Sequence, residues 1–116
     1  MHLFKPFRVR SASRDADTDK LRFDRLIATV EALREELVRE REGLHRRFAE
    51  SSRDAGFTEQ ALDEEPRDTK LAERLDKQTE TILQAEARLQ VLEDQADFLN
   101  KISNMIGEFW TPRMMR

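Results

Sequence analysis

Two series of apolar residues spaced three and four apart, separated by one stretch holding a Gly, a Pro and an acidic run, predict an all-α fold. The expected form is an antiparallel two-helix coiled-coil hairpin that pairs with a second copy into a four-helix arrangement. Composition agrees: of 116 residues, 39% are charged and 38% hydrophobic, with only 3 Gly and 3 Pro, which argues against all-β, collagen-like and low-complexity chains. A chain of this length holds one small domain. Its lack of Cys excludes disulfide frameworks, Cys-based zinc sites and thiol chemistry.

Residues 1–17 form a basic, aromatic N-terminal segment in which Leu3, Phe4, Phe7 and Val9 stand among Lys5, Arg8 and Arg10. It lacks the unbroken apolar core of about 7 to 15 residues that a secretory signal needs, and Pro6 interrupts any amphipathic helix there. No stretch approaches the roughly 20 apolar residues of a membrane span. The expected location is cytoplasmic, with a membrane-peripheral one as the alternative.

Helix 1 is predicted over about 18–54. Phe23, Val30, Leu37 and Leu44 recur every seven residues as heptad position a, which puts Leu26, Leu33, Glu40 and Arg47 at d. Asp17 or Thr18 is placed to cap the start, and Gly56 to end it in a left-handed conformation. Glu35/Arg39 and Glu42/Arg46 have the favourable four-residue spacing. A connector over about 55–66 follows, marked by Gly56, Pro66 and the run Asp63, Glu64, Glu65, with a short helical turn expected at 58–64. Helix 2 is predicted over about 67–110 on the series Leu71, Leu75, Gln78, Ile82, Ala85, Leu89, Leu92, Ala96, Leu99, Ser103, Ile106 and Trp110. A basic tail, 111–116, ends the chain.

With the turn at 55–66, residues whose numbers add to roughly 121 face each other. Val30 then meets Leu92, Leu33 meets Leu89, Leu26 nears Ala96, and Leu37 nears Ala85. Glu40, Arg47 and Gln78 gather toward the connector.

Helix 2 carries more apolar surface than one neighbour covers. Val91, Phe98 and Met105 occupy position c, and Ile102 and Phe109 position g, beside the a and d rows. Charge is also polarised. The first 14 residues carry +4 and residues 101–116 carry +2, so the segment between them carries −9. An antiparallel hairpin brings both cationic ends together, giving an aromatic, Met-rich, basic tip. Three readings of that tip stand: completion of the hairpin or homodimer core, a docking surface for another protein, or an interfacial membrane contact.

The candidate partner-binding residues are Phe98, Ile102, Met105, Phe109 and Trp110 as apolar anchors, with Arg8, Arg10, Arg113 and Arg116 to steer an acidic protein or anionic surface. No catalytic, cofactor-binding or metal-binding set is expected. Glu42 and His45 have the Glu-x-x-His spacing of di-iron bundles but fall on the outer face of helix 1. Asp15, Asp17 and Asp19 imitate the start of a calcium loop, yet Lys20 stands where Gly is needed and Leu26 where the bidentate Glu belongs. They suit the N-terminal end of a helix dipole instead. No Gly-rich phosphate loop occurs, and the helices mix both charge signs, which disfavours nucleic acid.

The run Leu99-Asn100, followed by Ile102, Ile106 and Gly107, is similar to the last helix of TraM-type antiactivators, small helical proteins that mask a quorum-sensing transcription regulator. The similarity covers under a fifth of the chain. It implies one way for a helical hairpin to act, by occluding a regulator. The expected function is a non-enzymatic interaction or regulatory module that binds a partner or itself through its terminal end, with a membrane-surface adaptor and an antiactivator-like protein as alternatives.

Overall fold

A computed structural model describes residues 11–115. The chain is all-helical: α1 (Ala12–Glu64) and α2 (Thr69–Met114) fold back on each other as a hairpin. Position 11 starts α1 because the Ser11 hydroxyl accepts the Arg14 amide at 3.3 Å, and the Ser11 carbonyl takes the Asp15 amide at 3.1 Å. That cap lies upstream of Asp17 and Thr18, which are inside the helix.

The larger correction is at the other end of α1. Gly56 does not stop the helix: its φ is negative, and helix runs through it and through 58–64. An exposed Gly in a helix costs only about 1 kcal/mol, and Ala55 and Thr58 on either side of it are buried. Pro66 sets the stop, since it biases the residue before it away from helical geometry and has no amide to donate. The connector is therefore residues 65–68, closed by the Asp68 amide donating to Glu65 O at 3.1 Å. Asp68 also caps α2, its Oδ1 accepting the amides of Lys70 at 3.0 Å and Leu71 at 3.2 Å.

Moving the turn toward the C-terminus changes the expected register, although Leu37 still packs against the core that contains Ala85. Phe23 stacks on Trp110, where a turn at 55–66 would have set it near Phe98. Glu40 pairs with Arg88 rather than facing Thr81. Of the residues expected to pair as Val30/Leu92, Leu33/Leu89 and Leu26/Ala96, Leu26 and Leu33 are exposed, and Leu92 packs with Leu44 and Ala85.

The seam of α1 also differs from the expected one. Position a holds, with Val30 and Leu44 buried and Phe23 and Leu37 half-buried. The second row is position e, not d: Arg34, Arg41, Phe48, Ala55 and Leu62 are buried or half-buried, whereas Leu26, Leu33, Glu40 and Arg47 are exposed. On α2 every residue of the predicted series from Leu71 to Trp110 is buried or half-buried.

Two compact units divide the chain, a terminal one (Met1–Arg34 with Leu99–Arg116) and a loop one (Glu35–Phe98). In the loop unit Leu44, Ala85 and Leu92 form the core, with Leu37, Phe48 and Leu89 packed against it. Leu92 is 1% exposed, and burying such a side chain contributes about 1.5–3 kcal/mol. Arg88 clamps Glu40 from the other helix, Nε donating to Oε2 at 2.6 Å and Nη2 to Oε1 at 3.0 Å. These bonds hold the Glu40 carboxyl below the usual carboxylate range. Glu40 and Arg47 are exposed, Glu40 held by Arg88 and Arg47 lining a shallow groove with Leu44, Thr81, Gln84 and Ala85, whereas Gln78 is half-buried with its Oε1 buried without a partner. The buried Thr58 hydroxyl donates to Asp54 O at 3.0 Å.

Surface ion pairs include Lys20–Asp24 at 2.8 Å, Arg22–Asp19 at 3.7 Å and Arg34–Glu31 at 3.1 Å. Glu35/Arg39 and Glu42/Arg46 are not among them; exposed pairs at this spacing gain only a few tenths of a kcal/mol against the entropy of holding two long side chains.

Candidate functional site

The terminal unit is built around an aromatic stack. Phe23, from the a row of α1, lies between two α2 side chains: its ring centroid is 4.4 Å from that of Trp110, with 4° between the planes, and 5.6 Å from that of Phe109. Consecutive residues of a helix point about 100° apart, so Phe109 and Trp110 reach Phe23 from different sides of α2. Arg113, one turn after Phe109, sets its guanidinium carbon 3.8 Å from the Phe109 ring centroid while Nη1 donates to Phe109 O. The arrangement is a cation–π contact on a ring already stacked on its other neighbour, and the positive charge also suits the C-terminal end of the α2 dipole. Above the stack, Val30 and Leu99 are buried and Arg34 Nη1 donates to Ser103 Oγ at 3.5 Å.

The two sides of this unit are unlike. On one, Ile27 of α1 and Ser103, Ile106, Gly107, Trp110 and Thr111 of α2 line a shallow groove of about 160 Å³. Gly107 contributes no side chain there, and an added Cβ would meet nothing within 4 Å. On the other side Phe109 rests on Phe23, next to the d row of α1 with Leu26 and Leu33 and the c position of α2 with Met105. These four stay in water: Leu26 is 43% exposed, Leu33 42%, Met105 67% and Phe109 47%.

Of the candidate partner-binding residues, the structure brings Ile102, Met105, Phe109, Trp110 and Arg113 together in the terminal unit, Ile102 and Trp110 half-buried and the others exposed. Phe98 belongs to the loop unit and is exposed there. Arg8, Arg10 and Arg116 lie outside the described residues. Sequence reasoning placed Phe23, Leu26 and Leu33 in the hairpin seam and so missed them as site residues. The signal that finds them is the position of Pro66: a turn placed there sets Phe23 opposite Phe109 and Trp110 and turns the d row outward.

Chemistry-bearing clusters do not add to this. Among the described residues no group of three or more His, Asp or Glu is placed to hold a metal ion, and Glu42 and His45 are exposed on α1. No helix among them is long and apolar enough to cross a membrane. Comparison with family models, curated proteins and solved structures finds no match to this chain.

Proposed function

We propose that this chain is a non-enzymatic helical-hairpin interaction module, acting through the terminal unit and self-associating into a four-helix arrangement. The observation that carries the reading is the stacking of Phe23 on Trp110 and Phe109, beside apolar side chains that stay exposed among the described residues. Aromatic, Met and Arg side chains are the types enriched in the buried centres of protein interfaces, and a ring held by stacking loses little entropy on docking. Arg113 beside this stack favours an acidic protein partner over a nucleic acid, because the two charge signs mixed along both helices offer no extended cationic track for a phosphate backbone. Cytoplasmic action and the absence of a cofactor belong to the same proposal.

The test is capture from the native cell by cross-linking, with the double variant Phe109→Ala, Trp110→Ala as control and far-UV circular dichroism to show that it still folds. The proposal expects the variant to lose both the captured partner and self-association. A folded variant that keeps the same partners and the same oligomeric state overturns it.

A further inference from the structure

We infer that the exposed face of the terminal unit formed by Leu26, Leu33, Met105 and Phe109 is covered by a second copy of this chain, with α1 of each copy packed on α2 of the other about a two-fold axis running along the helices. This rests on the interaction-module reading and deepens it by assigning self-association a face, apart from the Ile27–Gly107 groove, and a two-fold geometry.

Three observations carry it. The first is area. Taken together, the exposed fractions of these four side chains equal about two whole large side chains, or roughly 400 Å² of apolar surface at about 200 Å² each. A standard interface takes about 800 Å² from each partner, of which about 60% is apolar, so this one face supplies most of what a stable dimer needs.

The second is spacing. Leu26 and Leu33 are one heptad apart, and Met105 and Phe109 one turn apart, which is the pattern of helix-on-helix packing and not of a flat or irregular partner. Within the terminal unit α1 turns Phe23, Val30 and Arg34 inward and leaves Leu26 and Leu33 of the d row exposed.

The third is self-complementarity. Beside Leu26 and Leu33, α1 exposes the small side chains Thr29 and Ala32, whereas the α2 half of the face exposes the long Met105 and Phe109. A two-fold axis puts the large side chains of each α2 against the small positions of the partner's α1, and it does so twice, once for each copy.

Because the chain has no Cys, single-cysteine variants report this geometry without background. Thr29→Cys and Met105→Cys, made separately, one carrying a size tag, and mixed under mild oxidation, are expected to give a mixed disulfide dimer in preference to either self-dimer. Leu26→Glu with Leu33→Glu is expected to raise the dissociation constant more than about a hundredfold, since it buries unpaired carboxylates, and to give a monomer by light scattering where the parent is a dimer. The inference is overturned if the parent is monomeric throughout a dilution series, if the Leu26/Leu33 variant keeps the parent's mass, or if the mixed disulfide does not form. Flotation of a monomeric parent with anionic vesicles, lost in Met105→Glu, overturns it in favour of a lipid surface. Its failure leaves the partner-binding part of the broader reading standing wherever Phe109→Ala, Trp110→Ala still abolishes partner capture.

Discussion

Replacing Gly56 by Ala tests where the hairpin turns. In the structure Gly56 is exposed inside α1, its φ is negative, and a Cβ built there meets nothing within 4 Å. Ala is therefore free of clash and removes the penalty of Gly in a helix, about 0.5–1 kcal/mol, mostly by narrowing the conformations open to the unfolded chain. Were Gly56 instead the left-handed residue that ends a helix, Ala would bring its Cβ against the carbonyl and cost about 1–2 kcal/mol. The two arrangements predict opposite signs. Urea unfolding followed by circular dichroism resolves them: with a slope of about 1–3 kcal/mol per molar, the gain moves the midpoint up by roughly 0.2–1 M. Parent and variant must be compared at one protein concentration, because self-association raises apparent stability by mass action. A midpoint that falls refutes the continuous α1, and with it the register that sets Phe23 on Trp110.

The remaining predictions concern the two units separately. Leu92→Ala empties the centre of the loop-unit core and is expected to cost about 2–5 kcal/mol; a loss under 1 kcal/mol by the same urea assay would show that Leu44 and Ala85 do not close around it. Phe23→Leu keeps volume but removes the stack, costing about 0.5–1.5 kcal/mol beyond area and shifting the emission of Trp110, the only Trp of the chain; an unchanged spectrum would contradict the stacking. Glu40 has its folded carboxyl held below the ordinary value of 4.5, first by hydrogen bonding from Arg88. Its stabilisation is therefore complete above that value and fades as pH falls through the depressed folded one, so Glu40→Gln should flatten the acid limb of a stability–pH curve. If the limb is the same in both proteins, the Arg88 clamp does not persist in solution.

The legibility of the sequence differs between the helices. On α2 the alternating three- and four-residue spacing runs from Leu71 past Leu92 and Leu99 to Trp110, interrupted in polarity only at Gln78 and Ser103, so periodicity alone picks out the covered side. On α1 two rows compete for the place beside position a. Leu26, Leu33, Glu40 and Arg47 read about as apolar as Ile27, Arg34, Arg41 and Phe48. What decides between them is Ala55 and Leu62, which extend the second row, and a helix stopped at Gly56 cuts off most of that evidence. The register error follows from the same misplaced stop, since each residue added to α1 before the turn displaces its partner on α2 by about two. The apolar excess of helix 2 was visible in the sequence from Phe98 to Phe109; the α1 half of the exposed face was not, because Leu26 and Leu33 had been assigned to the seam.

A connector of residues 65–68 leaves almost no slack between the arms. One residue inserted into α1 would swing everything before it by about 100°, carrying Val30 out of contact and putting Glu31 in its place. A longer insertion restores the rows only at about seven residues, and then only if α2 gains an equal length, since nothing in the turn can absorb the difference. Surface loops usually accept insertions at little cost, but here length itself is constrained. The arms can grow or shrink only in matched heptad steps, so the length of each arm is set in whole periods.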